Sequence, residues 1–121
     1  MSVLQLILDQ AGPDFYRIDR RWQPKDLLPV VHSKRLLNDV QRRLELLEDG
    51  VPEFKTLQRA AKYDTIIKRM QIDYRRAKFA WRQDDLVFIQ AVAEFYQDYG
   101  TILQMLKIDE ARGVLKTDQG D

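Results

Sequence analysis

Apolar side chains recur along most of this chain at intervals of three and four residues, the spacing that stacks them on one face of an α-helix. The clearest run is Ala60, Tyr63, Ile67, Met70, Tyr74, Ala77 and Trp81, which alternates the two steps and forms a heptad seam. A second run, Leu36, Leu37, Val40, Leu44 and Leu47, follows Ser33, whose hydroxyl suits a helix N-cap, and stops at Gly50 before Val51-Pro52. A third set holds two adjacent rows: Phe88, Val92, Phe95, Tyr99, Ile102, Leu106, and Leu86, Ile89, Ala93, Tyr96, Gly100, Leu103. A stripe that wide is covered from more than one side, either at the centre of a bundle or by another chain.

Before these, Ser2 opens a short apolar segment that ends near Gln10 and is stopped by Gly12-Pro13. Pro13, Pro24 and Pro29 then break any long element. Phe15, Tyr16, Trp22, Leu27, Leu28, Val30 and Val31 are nevertheless too apolar for a solvated linker, which predicts an ordered connection with one helical turn near Lys25–Leu28. No strand-like alternation, internal repeat or low-complexity block is present. The class is all-α: a compact bundle of three long helices plus a short N-terminal one. Residues 1–112 form the single domain, and residues 113–121 a polar tail that frays. The third helix is expected to open at Pro52 or Glu53, and Asp84 or Asp85 to cap the fourth. No Gly or Pro interrupts residues 81–86, so the pattern also admits helices three and four as one continuous rod.

Composition narrows the class without changing it. With 45% hydrophobic and 32% charged residues over 121 positions, the chain is globular and has room for one modest core. No apolar run approaches the roughly 20 residues that span a bilayer. The opening MSVLQLILDQ lacks the basic start and the small-residue cleavage site of a secretion signal, so it reads as a helix. The absence of cysteine removes disulfides and thiolate metal sites. A cytoplasmic protein, or one inside a particle assembled in the cytoplasm, is the expectation.

The formal net charge of +1 conceals a strong segregation. Residues 1–54 balance at −1, residues 55–82 at +7 and residues 83–121 at −5. On the third helix the cations form two columns with a seven-residue repeat: Lys55, Lys62, Arg69 and Arg76, and Lys68, Arg75 and Arg82. Between them, opposite the seam, lie Thr65, Ile72 and Phe79. The outward face is therefore two basic ridges around a floor that contains two apolar residues, a place where a solvated face has no need of them.

Three roles fit such a face. In the plainest, long basic stems cover Ile72 and Phe79 and the cations are balanced by acids elsewhere, with Glu45, Glu48, Asp49, Glu94 and Asp98 as candidates. In the second, a column about 31 Å long follows a nucleic-acid backbone without reading sequence, and Phe79 stacks on or wedges against a base. In the third, the ridges take an acidic protein surface, including the acidic third of another copy. The expected function is a non-catalytic small helical subunit of a larger nucleoprotein assembly. Lys55, Lys62, Lys68, Arg69, Ile72, Arg75, Arg76, Phe79 and Arg82 form its contact face. The alternative is a structural or assembly protein, of scaffold or virion type, that binds protein partners or itself and no nucleic acid. In type, not in motif, the chain resembles the small helical subunits of nucleoprotein complexes and virus particles.

Catalysis finds little support. His32 is the one histidine, Ser2 and Ser33 are the two serines and suit caps, and no Gly-rich phosphate loop, GxSxG, HExxH or EF-hand pattern occurs. The Glu-x-x-His pairs of a di-metal carboxylate bundle are missing, and Asp109-Glu110 reads as solvated. No cofactor, metal, membrane or small-molecule substrate is expected.

Overall fold

The computed structural model describes residues 34–50, 54 and 60–113. The expected N-terminal helix, the proline-rich connection, the cap at Ser33, His32, Lys55 and the tail beyond Gly113 lie outside the described residues. Helix accounts for 90% of the described residues and no strand occurs among them, which establishes the all-α class. Three helices carry the fold: α1, Lys34–Glu45; α2, Ala61–Ala80; and α3, Asp85–Ala111. None of them is long and apolar enough to cross a membrane.

α1 buries Leu36, Leu37, Val40, Arg43 and Leu44, one face at helical spacing, and its register widens into a π-helical turn over Leu46–Gly50 that buries Leu47. Gln71 on α2 donates from Nε2 to Glu48 Oε2 (2.5 Å) and ties that turn to α2.

α3 is the central helix. Phe88, Val92, Phe95, Tyr99, Ile102 and Leu106 have no exposed surface at all, and Ile89, Ala93, Tyr96 and Leu103 of the neighbouring row are buried as well. Each large member contributes roughly 1.5–3 kcal/mol as an upper bound on area removed from water. Both rows of the wide stripe are thus covered from within the chain, and α1 and α2 both pack against α3. Leu86, the first member of the second row, is the exception at 74% exposure. Asp84 caps α3: its extended backbone (φ −145°, ψ 96°) lets Oδ1 accept the Val87 amide at 3.2 Å. At the other end Gly113 takes φ 73° and its amide returns to Glu110 O at 3.1 Å. An added Cβ there would meet nothing within 4 Å, so the left-handed backbone rather than space calls for glycine.

α2 and α3 form an antiparallel hairpin. Lys62 and Tyr63, at the start of α2, meet Asp109 near the end of α3, while Arg76 meets Glu94 near its beginning. The continuous-rod alternative does not hold: residues 81–84 turn the chain, Trp81 ends α2 at φ −57°, ψ 122°, and Arg82 stands in the left-handed region at φ 64°. Two further expectations need correction. The described third helix starts at Ala61, with exposed Ala60 as an extended N-cap rather than a seam residue, although Phe54 is helical and fully buried against Tyr63. Tyr74 and Trp81 are only half-buried, while Ile66, Asp73 and Ala80 lie inside. At about 100° per residue, the row Ile66–Asp73–Ala80 adjoins the column Lys62–Arg69–Arg76. The buried arc is therefore turned toward one of the two basic columns.

A candidate docking face on α2

That turn divides the basic face into two unequal halves. The column beside the buried arc meets carboxylates across the hairpin. Lys62 Nζ lies 2.6 Å from Asp109 Oδ2, Arg69 Nη2 2.9 Å from Asp98 Oδ1, and Arg76 Nη1 3.0 Å from Glu94 Oε1 and 3.2 Å from Asp73 Oδ1. Glu94 and Asp98 thus balance cations of this column, as the plainest of the three roles anticipates. Asp109, expected in solvent, is instead buried: it accepts the Tyr63 hydroxyl at 2.5 Å as well as Lys62. Those two hydrogen bonds, first from Lys62 and then from Tyr63, hold its carboxyl below the usual carboxylate range. Burial, followed by the bond to Asp109, pushes the Tyr63 phenol up.

Between the helices this column borders an open groove of about 240 Å³, lined by Arg69, Ile72, Asp73, Glu94, Gln97 and Asp98. Asp73 is buried at its floor. Desolvation, with Glu94 and Asp98 as negative neighbours, raises its carboxyl to about 6, and Arg76 offsets only part of that.

The second column faces outward. Lys68 pairs only with Asp64 one turn back on its own helix, at 3.0 Å and in solvent, where such a pair adds little. Arg75 is exposed with no carboxylate among the described residues. Arg82 leaves the column as a geometric row, because the helix has ended, and its guanidinium lies over the Trp81 ring at 4.8 Å. On the opposite side of the count, Lys34 of α1 brings its Nζ to 5.7 Å from the same ring. The apolar residues of the outward face are open: Phe79 is 78% exposed and Ile72 49%.

The structure thus keeps Arg75, Phe79 and Arg82 together within two turns, with Lys68 and Ile72 one to two turns earlier. It draws Lys62, Arg69 and Arg76 into internal pairs that leave the ammonium and guanidinium groups partly at the surface. Two exposed residues close to this face in sequence were not among those expected from the pattern. Lys78 is exposed, with no carboxylate among the described residues; heptad position placed it beside the seam, and the rotated burial brings it out. Leu86 reads as a core residue by spacing, but it occupies the first turn of α3, directly after the 81–84 turn, where no helix covers it. The adjacency of Lys78 to Phe79 was visible in the sequence; the exposure of Leu86 was not.

A second polar node lies in the core. Arg43 has no exposed surface; its Nε donates to Asp39 Oδ2 at 2.7 Å and its Cζ sits 5.5 Å and 4.9 Å from the Tyr96 and Tyr99 rings. Tyr96 donates its hydroxyl to the same Asp39 oxygen at 2.8 Å, and burial above all raises that phenol. The signal was legible, since Arg43 falls three residues after Val40 on the apolar face. This node joins α1 to α3 and is structural in geometry. Among the described residues no group of three His, Asp or Glu side chains is placed to hold a metal ion. No family model, no curated protein and no solved structure matches this chain.

Proposed function

We propose that this chain is a non-catalytic helical subunit of a larger assembly, attached to an anionic partner through the outer face of α2. One observation carries the reading: Arg75, Lys78 and Arg82 have no carboxylate among the described residues and lie within four residues of a phenylalanine that is 78% exposed. Cations present for solubility alone have no reason to flank an exposed aromatic ring, whereas the two together form an adhesive surface.

Nucleic-acid backbone is one such partner, with phosphates on the three cations and a base against Phe79. The internal pairs shorten the track this partner would follow, because Lys62, Arg69 and Arg76 already have counter-charges. Three remaining contacts give a log–log salt slope of about −2 for a single strand, well short of what full columns would supply. An acidic protein surface is the second partner, and the exposed aliphatic side chains Ile72 and Leu86, which have nothing to offer a phosphate, favour it.

The test is binding of fluorescent oligodeoxythymidine and of polyglutamate at 50 and 200 mM salt, comparing the wild-type chain with Arg75→Glu/Lys78→Glu/Arg82→Glu. Binding of either polyanion that the triple variant abolishes, with circular dichroism unchanged, supports the docking face. Failure of both polyanions to bind at 50 mM salt, or equal binding by the variant, overturns it.

A further inference from the structure

Resting on that docking reading, we propose that the occupant is an acidic amphipathic helix of a different protein, whose apolar side chains seat on Phe79, Leu86 and Ile72 while its carboxylates face Arg75, Lys78 and Arg82. Three features of the surface point there.

The first is the kind of exposed apolar group. A base can stack on Phe79, but leucine and isoleucine side chains contribute to binding only when another apolar surface covers them. Ile72 and Phe79 lie seven residues apart on one helix face, about 10 Å, and Leu86 follows across the 81–84 turn. The Ile72–Phe79 spacing matches the i, i+7 anchors of a helix laid along another helix, and Leu86 adds a further exposed apolar side chain in the first turn of α3.

The second is the sign of the rim. Arg75 and Lys78 lie along one side of the Ile72–Phe79 line and Arg82 follows in the turn, so carboxylates along one edge of a partner's apolar stripe would meet this basic edge. Arginine beside an aromatic anchor is also the composition in which protein interfaces concentrate their binding energy.

The third is the state of this chain's own acids. Asp39, Asp64, Asp73, Glu94, Asp98 and Asp109 each already hold a partner on α1, α2 or α3. Those six carboxylates are committed within their own molecule, which leaves a second copy fewer acids to offer than its sequence suggests.

A 16-residue helical peptide with leucines at i, i+4 and i+7 flanked by glutamates is the probe, with its Glu→Gln counterpart and a 20-nucleotide oligodeoxythymidine alongside. The expected result is one-to-one binding of the glutamate peptide, at least tenfold tighter than the glutamine peptide. Phe79→Ala should weaken it about 30-fold, with Leu86→Ala acting in the same direction and helix content unchanged in both variants. Binding of the oligonucleotide but not of the peptide overturns the occupant while leaving the docking face standing. Binding of neither removes both. Peptide binding indifferent to Phe79→Ala and Leu86→Ala overturns the apolar seat. Self-association in sedimentation that Phe79→Ala dissolves identifies a second copy instead and also overturns the proposal.

Discussion

Asp73→Asn offers the most direct test of how the hairpin is held. Asp73 lies buried between α2 and α3, facing Arg76 and, more distantly, Arg69 on its own helix, and Glu94 and Asp98 on α3. Burial and the two acids raise its carboxyl from 3.8 to about 6. A raised acid pKa means that the folded chain holds this proton more tightly than the unfolded one. The stability it contributes is complete below about pH 4 and is lost as pH rises through 6. At about 1.36 kcal/mol per pKa unit, a shift of roughly two units amounts to about 3 kcal/mol between pH 4 and pH 7. Asparagine keeps the shape and an acceptor for Arg76 but cannot ionise. The variant should match wild type near pH 4 and exceed it by about 2–3 kcal/mol at pH 7, equivalent to about 10 °C in melting temperature for a domain of this size. Urea unfolding followed by circular dichroism from pH 4 to 7.5 measures both proteins. Taking their difference cancels every contribution the two proteins share. A wild-type-minus-variant difference that stays flat across the range would refute the argument. So would a variant less stable at pH 7, because it would mean that the Arg76 pair outweighs desolvation.

Three further outcomes follow from the packing. Asp39→Ala removes the carboxylate that accepts from the fully buried Arg43 and should cost roughly 3–5 kcal/mol in urea unfolding, while Arg43→Met, which removes the buried charge itself, should cost much less. Tyr63→Phe deletes the hydroxyl that Asp109 accepts and should cost about 1.5–3 kcal/mol near neutral pH; it should also flatten the loss of stability on acidification, because less of the depression of the Asp109 carboxyl remains to be lost. Arg82→Gly should be about 1 kcal/mol more stable than Arg82→Ala, because both lack the guanidinium and only alanine resists φ 64°. The reverse order would remove the left-handed turn from the account.

Much of the architecture was legible in the chain itself. Spacing of three and four specifies helices, the double row from Phe88 to Leu106 marks α3 as the one covered from two sides, and Asp84 before a long apolar run announces a cap. These are local properties, set within a turn or two by the backbone's own periodicity. The repeat of seven likewise puts Lys62, Arg69 and Arg76 in one line and Lys68 and Arg75 in another, whatever the rest of the molecule does. What only the tertiary structure decided is which line faces inward. A heptad seam leaves a helix free to roll by a fraction of a residue, and contacts from 18 to 46 residues away, Arg76 with Glu94 and Tyr63 with Asp109, choose the roll. Rolling α2 toward α3 neutralised one column, buried Asp73 among carboxylates and left Arg75, Lys78 and Phe79 outside. No local pattern encodes that choice, because ion-pair geometry between helices depends on distances that exist only after the hairpin has closed.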